Sequence, residues 1–306
     1  MVRFLPLVGA SLVSLLGLAP ELRAEDGRQP LGTLRLFSND TIADRQDRWR
    51  SGGYGVSMVR GESWDGELPS RPFAVMEYRL RGEAIAPDNL NNPDPADRLY
   101  AGTWWLGAHT HFAWRGFEVT GGVDLAVTGE QSGIRRLQGA IHEQLSMPRM
   151  NIGDHQVEDG VYLHGTAEIA RSLRWNRGEV RPFLELQAGV ETMARVGVDV
   201  TLGTLGEGGL RLRDPITGQR PEAVVGGGAG GWSFLLGGDV AAVEGSVFLP
   251  EDRGYRAEPL RHRLRAGVNY GFGNRNIFYG VTYLSEEFVG QSEGQVVGSL
   301  SLGFQF

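Results

Sequence analysis

Phe117-Glu118-Val119-Thr120-Gly121-Gly122-Val123-Asp124-Leu125-Ala126-Val127-Thr128 is the stretch whose reading decides the fold. Phe117, Val119, Gly121, Val123, Leu125 and Val127 form one series, and Glu118, Thr120, Gly122, Asp124 and Ala126 fill the places between. A two-residue period belongs to a strand whose two faces meet different media. One face suits lipid, the other water. The last residues repeat the pattern, with Val296, Gly298, Leu300, Leu302, Phe304 and Phe306 alternating against Val297, Ser299, Ser301, Gly303 and Gln305.

Working outward, strands are expected near 31–40, 51–61, 71–82, 98–112, 115–128, 160–173, 179–189, 192–204, 230–246, 256–271, 276–287 and 293–306, twelve in all. No apolar run after the first two dozen residues is long enough to cross a bilayer as a helix. Backbone hydrogen bonding in lipid would therefore require a closed barrel. The mean hydropathy of −0.22 fits, because alternation of lipid-facing and lumen-facing residues dilutes any average. The expected fold is all-β: a transmembrane antiparallel up-and-down β-barrel of 12 strands, ending on Phe306 as bacterial outer-membrane barrels do.

Arg3, the apolar run Phe4 to Leu18, and Leu22-Arg23-Ala24 have the three regions of a secretory signal peptide, so 1–24 is read as a cleaved leader and 25–306 as one barrel domain. There is no cysteine, which excludes disulfides, thiolate nucleophiles and Cys-ligated metals. All 30 basic residues are Arg, the net charge is −7, and no basic tail suggests nucleic acid.

With both termini periplasmic, the connections near 40–51, 84–98, 128–160, 189–192, 246–256 and 287–293 lie on the outer side, and the Gly-rich 204–230 segment on the periplasmic side. The 128–160 loop is the longest of the outer ones, and Gln131 to Ser146 is expected to hold a short helix. Long loops of this kind tend to carry function.

Polar clusters gather at this outer rim: Asn39-Asp40, Asp47-Arg48-Trp49-Arg50-Ser51, Asp97-Arg98, and Gln138 with His142. Gln138 and His142 are four apart and share a helical face, so Gln138 could orient the imidazole of a general base. The plain alternative is a solvated loop histidine. Asn39-Asp40 offers the oxygen ligands a hard cation prefers, or simply a turn. Ser51 is a candidate nucleophile or a hydrogen-bonding partner, and the latter is preferred because Gly55-Val56-Ser57-Met58-Val59 fails the nucleophile-elbow pattern and Ser51 has none. His142-Glu143 lacks the second His of a zinc-protease motif, and the 226–231 glycines lack the Lys of a phosphate loop. His109 and His111 share a side with Thr103 and Trp105 and read as lumen filling; Tyr100, Trp104 and Phe112 on the opposite side read as lipid-facing.

In order, Asn39-Asp40, Asp47-Arg48 with Ser51-Gly52-Gly53, Asp97-Arg98-Leu99-Tyr100-Ala101-Gly102, Gln138 with His142, and Gln156 followed by Phe306 resemble the lipid A 3′-O-deacylases of the LpxR type. The resemblance implies a twelve-stranded outer-membrane barrel that hydrolyses the 3′ acyloxyacyl ester of lipid A with calcium, acting as a monomer on lipopolysaccharide in the outer leaflet. By it, His142 matches the catalytic His, Gln138 the Gln one turn earlier, Ser51 the Ser/Thr, and Asn39 and Asp40 the pair near the calcium. Leu99 replaces a usual Pro, no Trp precedes Gln156, and no Lys precedes Asp97-Arg98. Arg98, Arg48 or Arg135 is left to take the place of that Lys toward phosphate. Two other readings remain at this point: a related phospholipid esterase, and a non-catalytic barrel serving as a small channel or surface protein.

Overall fold

A computed structural model describes residues 27–203, 207–226 and 230–306. The expected leader and its cleavage after Ala24 lie outside the described residues. The chain forms β1 (Gln29–Asn39), β2 (Trp49–Gly61), β3 (Val75–Ala86), β4 (Ala101–Trp114), β5 (Phe117–Thr128), helix α1 (Ile134–Leu145), β6 (Gly160–Ala170), β7 (Leu173–Trp175), β8 (Gly178–Ala188), β9 (Glu191–Leu202), β10 (Leu210–Arg211), β11 (Glu222–Val224), β12 (Gly231–Ser246), β13 (Leu260–Phe272), β14 (Arg275–Leu284) and β15 (Gln295–Gln305).

Twelve walls close into an antiparallel barrel, because β6 and β7 pair with β8 in one register and together make a single wall. The seam is β1 on β15, from Gly32 opposite Gln305 to Asn39 opposite Gly298. Closure leaves no strand edge unpaired in lipid. The expected strands agree with these bounds to within a few residues. The third differs most: it starts at Val75 and runs on to Ala86, because Arg71, Pro72 and Phe73, with φ 64° at Phe73, form a turn ahead of it.

The quoted alternation is read correctly on both faces. Val123 and Leu125 are exposed outward, and Asp124 is buried in the lumen. There it receives Arg79 Nε at 2.8 Å and His109 Nε2 at 3.0 Å. His111 Nε2 lies 3.1 Å from Glu77 Oε2, so both histidines fill the lumen in ion-paired networks. Outside, Leu106, Leu163, Trp232 and Leu264 belong to the exposed apolar band.

The 204–230 connection departs from expectation. It starts and ends at the barrel end that carries both chain termini, but it is no surface turn: 207–226 folds back into the lumen around the small β10–β11 ladder. Leu210, Leu212, Ala223 and Val224 pack on Leu31, Leu34, Val59 and Val75, which explains why these wall residues are apolar yet face inward. Gly32 is required here, since a Cβ would collide with the Ala223 carbonyl.

Deeper in, Arg213 meets Asp199 Oδ2 at 2.8 Å and Glu168 Oε2 at 2.5 Å, and Arg211 meets Glu179 and Thr201. Gln219 Nε2 donates to the carbonyls of Ala266 and Val281 at 3.1 and 3.2 Å. The segment is a plug bound to the wall by charge on one side and apolar contact on the other. Deleting 209–224 is expected to produce stable current steps in planar bilayers that the intact chain lacks. Asp199→Ala, which takes a counter-charge from Arg213 and Arg265 while Glu168 and Asp239 still hold them, should cost about 1–3 kcal/mol, seen as a lower temperature for loss of compact electrophoretic mobility.

Candidate active site

The site begins with one extra residue. Trp49 pairs with Ala86 but Gly52 with Ala84, so three residues of β2 oppose two of β3. Gly53, near Ser38 and the plug residue Ile216, is on the lumen side. Strict alternation from Gly53 would therefore put Ser51 inside and Arg50 outside. The bulge exchanges them.

Arg50 turns inward, its Nη1 2.6 Å from Glu83 Oε1 and its Nε 2.9 Å from Glu287 Oε1. Ser51 turns outward, where α1 lies. Ile134 of α1 covers Gly102, a Cβ there falling 2.6 Å from the Ile134 Cβ. Gly102 belongs to the outward series that continues with the exposed Trp104 and Leu106, so α1 rests on the lipid side of the wall.

Between α1 and the wall stands Asp47. Its Oδ1 accepts the Ser51 hydroxyl at 2.5 Å, and its Oδ2 faces His142 Nε2 at 3.0 Å. Gln138 Nε2 donates to Ser51 Oγ at 3.2 Å, and Gln138 Oε1 accepts the Tyr100 hydroxyl at 2.9 Å. His142 Nδ1 lies 3.0 Å from the Pro148 carbonyl, which can only accept, so Nδ1 carries a proton and Nε2, facing Asp47 Oδ2, is the nitrogen left to exchange one. The result is a chain of polar groups, His142, Asp47, Ser51, Gln138, Tyr100, of which His142, Ser51 and Tyr100 are buried and Asp47 and Gln138 half-buried.

The helical spacing brings Gln138 and His142 to one face, as the sequence predicts. The expected direct orientation of the imidazole by Gln138 is replaced: among the described hydrogen bonds none joins the two, and Asp47 links them instead. Tyr100 corrects the lipid-facing expectation. It is on the outward side of the wall, but it is buried with Ala86 beneath the loop residues Leu90 and Ile152. Segment 152–157 fixes it: Tyr100 N–H donates to His155 and Val157 N–H to Tyr100.

Asn39 and Asp40 shape the loop that carries Asp47. Asn39 Nδ2 donates to the Ser51 carbonyl at 2.7 Å, and its Oδ1 accepts Thr41 N–H at 2.8 Å. Asp40 is fully buried. Its Oδ2 accepts Arg48 N–H at 2.8 Å and Gln295 Nε2 at 3.3 Å, while its Oδ1 has no hydrogen-bond partner. Burial pushes the Asp40 carboxyl up from the ordinary 3.8 to about 8; the Arg48 amide opposes this, and the charges of Asp47 and Asp44 add to it. A buried, unpartnered carboxylate oxygen is where a hard cation would bind, although no group of three or more His, Asp or Glu converges on a metal site among the described residues.

Arg98 is buried and committed to Glu287 Oε2 at 2.5 Å, the acid that also holds Arg50. Arg48 stays at the rim, 3.2 Å from Asp88, 2.8 Å from Glu293 and over the Trp49 ring. The residue that sequence reasoning did not assign a role is Asp47. Its position four before Ser51 in a cluster of charges was visible; its role depended on a bulge that has no local signature.

A family model described as "Outer membrane protein LpxR" matches residues 7–306. Among solved structures, LpxR from Salmonella typhimurium superposes with a TM-score of 0.75 at 13% identity, covering 90% of this chain and 100% of that one. The β domain of the Bordetella autotransporter BrkA gives 0.47 at 10% identity, with 92% and 100% covered, and the KdgM porin 0.43 at 6%, with 90% and 99% covered. No curated protein matches the sequence.

A carboxyl whose value is raised on folding is fully tolerated below its unfolded value and weakens the fold progressively as pH rises from about 3.8 to about 8. In chelator, Asp40→Asn should therefore raise thermal stability relative to the parent at pH 8 and leave it nearly unchanged at pH 3.5.

Proposed function

Because the chain belongs to the LpxR family of outer-membrane proteins, we propose that it is an outer-membrane lipid A 3′-O-deacylase, hydrolysing the 3′ acyloxyacyl ester with His142 as general base. The observation that carries this reading is the Asp47 carboxylate shared by His142 and Ser51 on the lipid side of the wall. An ester group held in the membrane can reach that side without its acyl chains crossing water.

His142 Nε2 takes a proton from water, and the hydroxide attacks the ester carbonyl. Asp47 Oδ2, 3.0 Å from Nε2, holds the ring in place. The tetrahedral oxyanion then collapses, the bond to the sugar oxygen breaks, and that oxygen takes the proton from His142 as the fatty acid leaves. Ser51 donates to Asp47 rather than to His142, which supports its role as a hydrogen-bonding partner that orients the carboxylate and not as the nucleophile. Calcium is part of the proposal: Asp40, through Oδ1, with Asn39 beside it, would hold the ion, whose charge would stabilise the ester oxyanion. Arg48 is the proposed phosphate contact, since its acidic partners Asp88 and Glu293 are exposed and such pairs exchange at little cost. Arg98 supports the site from inside, through Glu287. The loop end of the barrel faces the cell exterior in this reading. The plugged lumen favours it over a small channel.

Mass spectrometry of lipid A from cells expressing the chain should show loss of the 3′ acyloxyacyl group in calcium and none in chelator; intact lipid A under calcium would refute the assignment. His142→Ala and Asp47→Ala should each lower turnover by about 100-fold or more. Ser51→Ala, losing the hydrogen bonds to Asp47 and from Gln138, should cost about tenfold or more, with no acyl-enzyme trapped on the parent.

A further inference from the structure

Helix α1 is held by less than a helix of its length needs. Of its 12 residues only Ile134 and His142 are buried. Its N-cap is Gly133 with no side-chain cap bond, and its first turn has no acidic residue but carries Arg135 and Arg136, the wrong sign for a helix N-terminus. A helix this short is marginal in water unless a packed face supports it. Yet its apolar face is bare: Leu137, Ile141 and Leu145 are 51%, 45% and 38% exposed.

These three, spaced by four, form one stripe directly beside the face that carries Gln138 and His142. The polar residues Arg136 and Glu143 are on the other arc. The stripe is continuous with the barrel's lipid-facing band. Ile134 sits on Gly102, the indole of Trp104 donates to the Ser132 carbonyl at 3.0 Å just before α1, and Leu106, 61% exposed, follows on the same outward series.

We propose that Leu137, Ile141 and Leu145 are seated among the acyl chains of the membrane leaflet at the loop end, and that this seating is the support α1 lacks from protein. The helix is then an interfacial anchor, and lipid contact keeps Gln138 and His142 against Ser51 and Asp47. The membrane placement rests on the lipid-facing band of the barrel; only its effect on turnover rests on the deacylase reading.

The absence of cysteine allows single nitroxide labels to be placed one at a time in the full barrel in liposomes. Labels at 137, 141 and 145 should collide several-fold more with oxygen, which partitions into hydrocarbon, than with a water-soluble nickel chelate. Labels at 136 and 143 should show the reverse. Equal, water-like accessibility at all five would overturn the proposal, as would disulfide capture of two copies through position 141, which would assign the stripe to a protein partner. A label at Gly139, where a Cβ meets nothing within 4 Å, reports helix mobility. In the triple variant Leu137→Ser, Ile141→Ser, Leu145→Ser that label should become more mobile while the barrel keeps its heat-modifiable gel shift, and unchanged mobility would overturn the supporting role. A parent without deacylase activity would overturn the deacylase reading alone, and the mobility and accessibility results would still decide the membrane seating.

Discussion

Every peptide group in the wall must find its partner within the wall, because hydrocarbon offers none. The β1–β15 seam and the β6–β8 pairing answer that demand, and the remaining architecture follows from it. A closed ladder of alternating residues necessarily encloses a polar interior. Here the interior is filled with acids and guanidiniums that require one another: Asp199, Asp239, Arg263 and Arg265 on the wall, with Arg211 and Arg213 from the plug. Removing one member leaves its buried partners short of a counter-charge, which costs more than the lost pair contributes.

The same closure gives the candidate site its unusual setting. A lumen so occupied has no room for a lipid substrate, while the outer surface is already in contact with lipid. The β2 bulge uses adjacent residues for the two environments. Arg50 ties the wall to Glu83 and Glu287 inside, and Ser51 presents its hydroxyl to Asp47 and Gln138 outside. Arg98 and Tyr100 divide in the same way across the start of β4, one on Glu287 and the other on Gln138. The ionic cluster within is thus the foundation on which the outer network is aligned.

The wall was legible in the sequence because its period is local: Phe117 to Thr128 shows both faces without reference to any other segment. The helix position of Gln138 and His142 was legible for the same reason. What was not legible depends on partners far away in the chain. The plug's apolar residues, Leu210, Leu212 and Val224, have their complement scattered over Leu31, Leu34, Val59 and Val75, and the segment has no period of its own. In retrospect, inward-facing apolar residues at one end of an otherwise polar lumen are its trace. Tyr100 was assigned the right side of the strand and the wrong medium, since alternation fixes direction but says nothing of the loop that covers it. Asp47 was one carboxylate among several until the extra residue at 50–51 brought Ser51 round to it.

The plug also bears on how the cylinder keeps its shape. Its apolar edge grips β1, β2 and β3, from the front of the chain, while its guanidiniums are bound to acids of β6, β8 and β9, and Gln219 reaches β13 and β14. A hairpin so fastened on opposite sides cannot leave the lumen without giving up several buried ion pairs. It is a cross-brace: the cylinder keeps its outline through the ladder around its circumference and also through a tie across its width, from the first strands to the middle and later ones.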